Sequence, residues 1–290
     1  MRFEQTITAR PKVNLYLEIT GVRDDGYHEL KTLFYPLPGP LDELQLTRGG
    51  PGSGFALECE DEDLCTPSNL VWKAYDAFAA ATGFAPDVVC RLVKRIPSGA
   101  SLGGGSSDAA AMLRWLQEQA GERALDRARL VSLAAKLGAD APFFLGDGPA
   151  WATGVGEELT PAEADLSGWS LVLVCPATKV NTAFAYQEWD RRFAEKGEGA
   201  PAILTCDLKR DMGSFCPRLP ALLNSLESAV FPVYPGLGRI KEALLSLGAS
   251  GAMMSGSGSS LFGLFRKRST AVLAAQRLAT ARVEAQAHHF

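Results

Sequence analysis

The sequence predicts a mixed protein of α-helices and β-strands, on three observations. Several short runs alternate apolar and polar residues with the period of a half-buried strand. Others space apolar residues at i, i+3, i+4 and i+7, the period of an amphipathic helix. The chain has 290 residues, 47% of them hydrophobic, enough for two domains or one large one with filled cores.

The elements follow in order. Residues 12–18 (KVNLYLE) alternate, with Val13, Leu15 and Leu17 on one face and Lys12, Asn14 and Tyr16 on the other. Asp24-Asp25-Gly26 signals a tight turn into a second strand at 30–37, so the two runs form a hairpin. Short strands are expected at 42–47 and 55–59, and a helix at 68–82 with Ser68 as its cap. Residues 88–96 (VVCRLVKRI) read as a strand with Val88, Cys90, Leu92 and Ile96 on one face. Helices at 108–116 and 126–137 follow, the second ended by Gly138, and 150–155 completes a first domain. In the second half, 170–175 (SLVLVC) is a buried strand, and 179–182 leads into a helix carrying Phe184, Tyr186 and Trp189. The stretch 195–217, rich in charge, glycine and proline, is expected to be a mobile loop. Helices are expected at 222–231, 237–247 and 269–282, with a strand at 261–265.

One stretch joins a strand to a helix abruptly: Pro97, Ser98, Gly99, Ala100, Ser101, Leu102, Gly103, Gly104, Gly105, Ser106 and Ser107. A turn needs about one glycine. Three in succession let the backbone wrap an object and turn several N–H groups toward it, and at a helix N-terminus that object is an anion such as phosphate. Ser106 and Ser107 can cap the helix or touch a phosphate or metal ion. A second loop rich in glycine and serine, 251–260, reads either as a hairpin turn or as a second wall around phosphates.

Composition narrows the function classes. The formal net charge of −4 is spread without basic blocks, so there is no electrostatic footprint for nucleic acid. No apolar run approaches a membrane span and the first residues lack the apolar core of a signal peptide, so the expected location is the cytoplasm, away from membranes. Six cysteines without a Cys-x-x-Cys pair read as reduced thiols. Of three histidines only His28 lies outside the C-terminal tail, which leaves little for a zinc cluster or a histidine triad.

The glycine loop is neither a Walker A loop nor a dinucleotide fingerprint. Phosphoryl transfer needs positioning, a cation near the phosphates and a carboxylate for the attacking hydroxyl. Lys12 and Asp140 are candidates, although the local signal by itself favours Asp140 as a helix cap ahead of Pro142.

Residues 97–108 (PSGASLGGGSSD) resemble the signature loop of the GHMP small-molecule kinases. Residues 11–17 with 21–28 (PKVNLYL, GVRDDGYH), 138–146 with 154–157, and 251–260 are similar to one branch of that superfamily, which acts on a cytidine-diphosphate-linked methylerythritol. The resemblance implies an α+β fold in two domains: an N-terminal domain like ribosomal protein S5 domain 2, at 1–160, and a C-terminal ferredoxin-like domain, at 161–290. It also implies ATP-dependent phosphorylation of the substrate's 2-hydroxyl in the non-mevalonate isoprenoid route, with residues 97–107 binding ATP, Asp140 as general base and Lys12 as the cation. Tyr27, His28 and Tyr186 would then form the cytidine pocket, and Asn14 and Thr182 would meet the substrate's polar groups. Mg²⁺ is expected on the phosphates, water and a loop serine, since no acidic residue matches a dedicated ligand. Ser101 stands where the family more often has glycine, which implies a stiffer loop. Asp108 would repel phosphate if turned inward, so it is expected to face away or to approach through Mg²⁺. A monomer or weak homodimer is expected. The competing readings are another GHMP kinase, acting on homoserine, mevalonate or a sugar, and a non-catalytic nucleotide- or RNA-binding module.

Overall fold

The fold is taken from a computed structural model that describes residues 4–193, 222–280 and 283–290. The expected mobile loop at 195–217 and the last two residues of the expected final helix, 281 and 282, lie outside the described residues. Two units are present, one formed by residues 1–11, 37–98 and 103–147, the other by 12–36, 99–102 and 148–290.

The first unit is built on a four-stranded sheet in the order β1-β4-β6-β5, from β1 (Gln5–Ala9), β4 (Asp42–Arg48), β5 (Phe55–Cys59) and β6 (Val88–Val93). β4 pairs antiparallel with β1 and β6, while β5 pairs parallel with β6. The alternation read from the sequence is the burial pattern: Val88, Cys90 and Leu92 are fully or almost fully buried. Helices α1 (Leu70–Thr82), α2 (Gly104–Gln119) and α3 (Arg127–Leu137) pack in this unit, α2 against β1 and β4. The cap of α1 is Asn69 rather than Ser68, because the Asn69 side chain accepts the Val71 N–H and donates to the Leu64 carbonyl. α2 starts four residues before the expected 108, inside the glycine run.

The second unit holds two sheets. One has the order β10-β2-β3-β7-β8, from β2 (Lys12–Val22), β3 (His28–Pro36), β7 (Ala150–Thr153), β8 (Glu158–Pro161) and β10 (Leu223–Asn224). The hairpin predicted across Asp24-Asp25-Gly26 is present as β2 and β3, with a bulge between Asn14 and Tyr16. The other has the order β11-β12-β9-β13, from β9 (Ser170–Cys175), β11 (Gly251–Met254), β12 (Leu261–Phe265) and β13 (Glu284–His289), all antiparallel. Helices α4 (Thr182–Phe193), α5 (Glu227–Val233), α6 (Pro235–Ser246) and α7 (Arg268–Thr280) complete the unit. Its core joins Leu17 and Ile19 of β2 to Val172, Val174, Trp189, Val230, Leu244 and Phe265.

Three expectations are corrected here. The helix read at 222–231 begins instead as the short strand β10, because Leu223 and Asn224 pair in parallel with Tyr16 and Leu17. Residues 251–254, taken as part of a loop, are strand β11, paired with β12. The chain does not end in a helix: β13 follows α7 and pairs with β9 along its whole length.

Candidate active site

In the first unit the glycine loop is held at both ends. Asp42 is fully buried, and its Oδ1 accepts the backbone N–H groups of Arg95 and Ile96, at 2.5 and 2.7 Å. The chain leaves β6 there because a carboxylate replaces a neighbouring strand as acceptor. Lys94 donates to Asp42 and, at 2.7 Å, to Asp108 Oδ2 in the second turn of α2. One lysine thus ties the residues before the loop to the helix after it. Asp108 turns toward Lys94 and is 2% exposed, with its Oδ1 buried and without a partner. Burial, opposed by Lys94 and reinforced by Asp42, pushes its carboxyl up to about 7.

The start of α2 has no side-chain cap. The cap position is Gly103, at φ 71°, so neither Ser106 nor Ser107 fills the capping role open to them. Ser107 Oγ instead donates to the Arg10 carbonyl at 2.8 Å. The N–H groups of the first turn, which an α-helix cannot satisfy internally, thus have no side-chain acceptor from the cap position. Gly104 must be glycine for packing, since a Cβ there would sit 3.0 Å from the Ile96 side chain.

Asp140 belongs to the same unit. It is half-buried in a turn after α3, and the cap position of the following short helix, Phe143–Leu145, falls on Pro142 rather than on Asp140. Ser106 Oγ lies 3.4 Å from the Cβ position of Gly138, so the start of α2 and the segment carrying Asp140 are neighbours.

In the second unit, Lys12 is 3% exposed, so it is a buried strand lysine rather than a solvated one. Its Nζ donates to Asn14 Oδ1 at 2.8 Å and lies 4.7 Å from the centre of the Phe34 ring. Asn14 donates through Nδ2 to Thr32 Oγ1 at 2.7 Å, and its backbone N–H reaches Ser255 Oγ at 3.1 Å. The second glycine and serine loop, 255–260, is the connection between β11 and β12, and it lies against residues 99–102 of the first loop. Ser101, at φ 55°, donates to the Gly258 carbonyl at 2.5 Å, and its Oγ is 3.2 Å from Ser257 Oγ. Gly256 permits this approach, because a Cβ would meet Ser101 Cβ at 3.0 Å. Thr182, first residue of α4, joins the same loop through Ser257 Oγ at 2.8 Å.

His28 and Tyr186 come together, their ring centres 4.8 Å apart. Tyr27 is 64% exposed and offers its ring to solvent. Sequence reasoning missed Asp42, Lys94 and Asp190, which hold the end of β6, Asp108 and His28, whereas Ser255 and Ser257 belong to the 251–260 loop that it singles out. A cavity of about 420 Å³ in this unit, between α5 and α6, is lined by none of the expected site residues; its polar members include the ion pair of Glu227 and Lys241.

Comparison with known proteins bears on this arrangement. The family model for the GHMP kinases N terminal domain matches residues 69–148, and that for the GHMP kinases C terminal region matches 205–284. The chain is 51% identical over 273 residues to 4-diphosphocytidyl-2-C-methyl-D-erythritol kinase of Solidesulfovibrio magneticus, covering 93% of this chain and 92% of that one. It is 45% identical to the protein of the same name from Nitratidesulfovibrio vulgaris, with 94% of each chain covered. Among solved structures, a 4-(cytidine 5'-diphospho)-2C-methyl-D-erythritol kinase superposes with a TM-score of 0.81 at 36% identity, covering 98% of both chains. A mevalonate kinase from L. major superposes at 0.72 with 14% identity, covering 99% of this chain and 97% of that one, which is a likeness of fold.

Proposed function

The chain belongs to the GHMP kinases, in the 4-diphosphocytidyl-2-C-methyl-D-erythritol kinase family, and from that membership we infer that it transfers the γ-phosphoryl group of ATP to the 2-hydroxyl of 4-diphosphocytidyl-2-C-methyl-D-erythritol. The route served is the non-mevalonate synthesis of isoprenoid precursors. The observation that carries the nucleotide half of this reading is the uncapped start of α2 at Gly103, whose N–H groups suit the phosphates of ATP. Residues 97–107 form the nucleotide loop. The N-terminal family match lies within residues 1–160 and the C-terminal match within 161–290, the two domains of the proposal.

Asp140 takes the proton of the substrate hydroxyl as its oxygen bonds to the γ-phosphorus and the bond to the leaving ADP breaks. The Lys12 ammonium offsets charge on the transferring group, and Asn14 holds that ammonium in place. Tyr27, His28 and Tyr186 receive the cytosine, with Asn14 and Thr182 close to the substrate's polar groups. Among the described residues no cluster of three or more His, Cys, Asp or Glu could hold a metal ion. Mg²⁺ would be carried on the ATP phosphates, since magnesium keeps several waters and takes few protein oxygens. Among the described residues, Ser98 and Ser106 are the loop hydroxyls left to meet it, as Ser107 is bonded to Arg10 and Ser101 to Gly258. When bound, the ion supplies neutralisation of phosphate charge. A cytoplasmic monomer or weak homodimer completes the proposal.

The test is ATP consumption by the purified protein with a panel of acceptors. Consumption is expected with the cytidylated methylerythritol, and Asp140→Asn is expected to abolish turnover while ATP binding persists. Full turnover in that variant would remove the base assignment. Turnover with homoserine, mevalonate or a sugar instead would move the protein to another branch. Salt-sensitive RNA binding without ATP consumption would remove the enzyme altogether.

A further inference from the structure

His28 opens β3 and is 9% exposed, with its ring held from several sides inside one unit. Nε2 lies 2.7 Å from Asp190 Oδ1. The Tyr186 ring leans across the imidazole at an interplanar angle of 34°, and Trp189 meets it edge-on with centres 5.7 Å apart. Tyr186 and Asp190 are one turn apart on α4, so a single helix face presents both a ring and a carboxylate to the histidine. The neighbouring arginines do not claim that carboxylate: Arg191 and Arg192 both bond Glu188.

For a neutral ring, the hydrogen-bond geometry selects one tautomer. An ionised carboxylate only accepts, so the hydrogen between the two groups belongs to Nε2. A neutral imidazole carries one N–H, which makes Nδ1 an acceptor. Among the described residues the ring's hydrogen bond is the one at Nε2, which leaves Nδ1 to a ligand. Cytosine and uracil differ at C4, where cytosine carries an amino donor and uracil a carbonyl acceptor. An acceptor at Nδ1 pairs with the first and opposes the second.

Resting on the reading of His28 as part of the base pocket, we propose that Asp190 is a specificity-determining positioning residue. It holds the Nε2–H tautomer of His28, so that Nδ1 accepts from the cytosine amino group and the site rejects uracil. The side chain of Asp190 is 39% exposed, so its removal leaves the core of the unit intact. Its role is electrostatic and geometric, reaching the substrate through the imidazole.

The experiment compares kcat and KM for the cytidine substrate and its uridine counterpart in the wild type, Asp190→Ala and His28→Ala. Nitrogen-15 NMR of the His28 ring reports the tautomer of the first two. The wild type is expected to carry its hydrogen on Nε2 and to prefer cytidine by about 100-fold or more, the scale of a site left with an opposed polar group. In Asp190→Ala the preference is expected to fall about tenfold through KM, with kcat for the cytidine substrate held within about threefold and the nitrogen shifts moving toward a mixture of tautomers. An unchanged preference in Asp190→Ala, a wild-type ring bearing its hydrogen on Nδ1, or a collapse of kcat without a change in preference would each overturn the inference. If His28→Ala leaves both KM and the preference untouched, the base-pocket reading fails and takes this inference with it. If His28→Ala raises KM while Asp190→Ala changes nothing, the inference alone falls.

Discussion

Lys12 Nζ donates to Asn14 Oδ1 at 2.8 Å, and both side chains are at most 3% exposed on the same strand. A buried ammonium needs acceptors, and Asn14 supplies one from two residues away while Thr32 fixes the amide from the other side. The pair is therefore a unit, with the lysine as the charged member and the asparagine as its anchor.

Replacing Asn14 by leucine removes the acceptor and keeps the bulk. Stability is expected to fall by about 1–3 kcal/mol, the cost of losing the buried hydrogen bonds that Asn14 makes to Lys12 and Thr32. Turnover is expected to fall about 10- to 100-fold as the ammonium loses its position. Urea denaturation beside steady-state kinetics checks both, and a variant with normal kcat would separate Asn14 from the lysine's function.

Ser101 adopts a left-handed backbone at φ 55° and uses its hydroxyl to reach the Gly258 carbonyl. Ser101→Ala keeps the strained backbone and loses the bond, whereas Ser101→Gly loses the bond but relieves the strain of about 1 kcal/mol. The expected order of thermal stability is wild type, then the glycine variant, then the alanine variant. An alanine variant more stable than the glycine variant would refute the account.

Asp108 gives a stability dependence on pH whose sign is opposite to that of an ordinary salt-bridged aspartate. Its folded carboxyl is raised to about 7 by burial beside Asp42, so the native state holds a proton that the unfolded chain releases near 4. Its contribution is full below about 4 and is lost as pH rises to about 7. Asp108→Asn removes this titration, so the difference in unfolding free energy between wild type and variant should change by a few kcal/mol at most across that window. Denaturant melts of both proteins at a series of pH values measure it; a constant difference is the contrary result.

Glu227 and Lys241 form a buried pair at 2.5 Å, and Glu227 Oε1 also accepts the Met254 N–H at 2.7 Å. Lys241→Met is expected to cost about 3–5 kcal/mol, because it leaves Glu227 buried without its cation. Adding Glu227→Gln should recover most of that loss, since the second change removes the stranded charge. Chemical denaturation of the single and double variants decides it through their coupling.

Much of this arrangement was legible in the chain. Val88, Cys90 and Leu92 announced β6 because alternation is a property of adjacent residues, and the glycine run announced the loop because backbone freedom is local. β13 escaped notice because Glu284–His289 alternates only small alanines with polar residues, and its pairing with β9 supplies what its own pattern lacks. β10 is two residues long and exists only because β2 lies beside it. Asp42 was read as the start of a strand, while its acceptance of the Arg95 and Ile96 N–H groups depends on residues more than fifty positions away.

The sequence alone determined the chemical inventory: a glycine loop before a helix, Lys12, Asp140, the Tyr27-His28 pair and an order of motifs that resembles one kinase branch. Those follow from residue type and spacing, which neighbours along the chain carry. Only the tertiary structure decided that Asp108 answers to Lys94, that Ser101 is held by Gly258, and that His28 meets Asp190 across 162 positions. Hydrogen bonds and charge act over a few ångströms of space, and separation along the chain does not enter their energy.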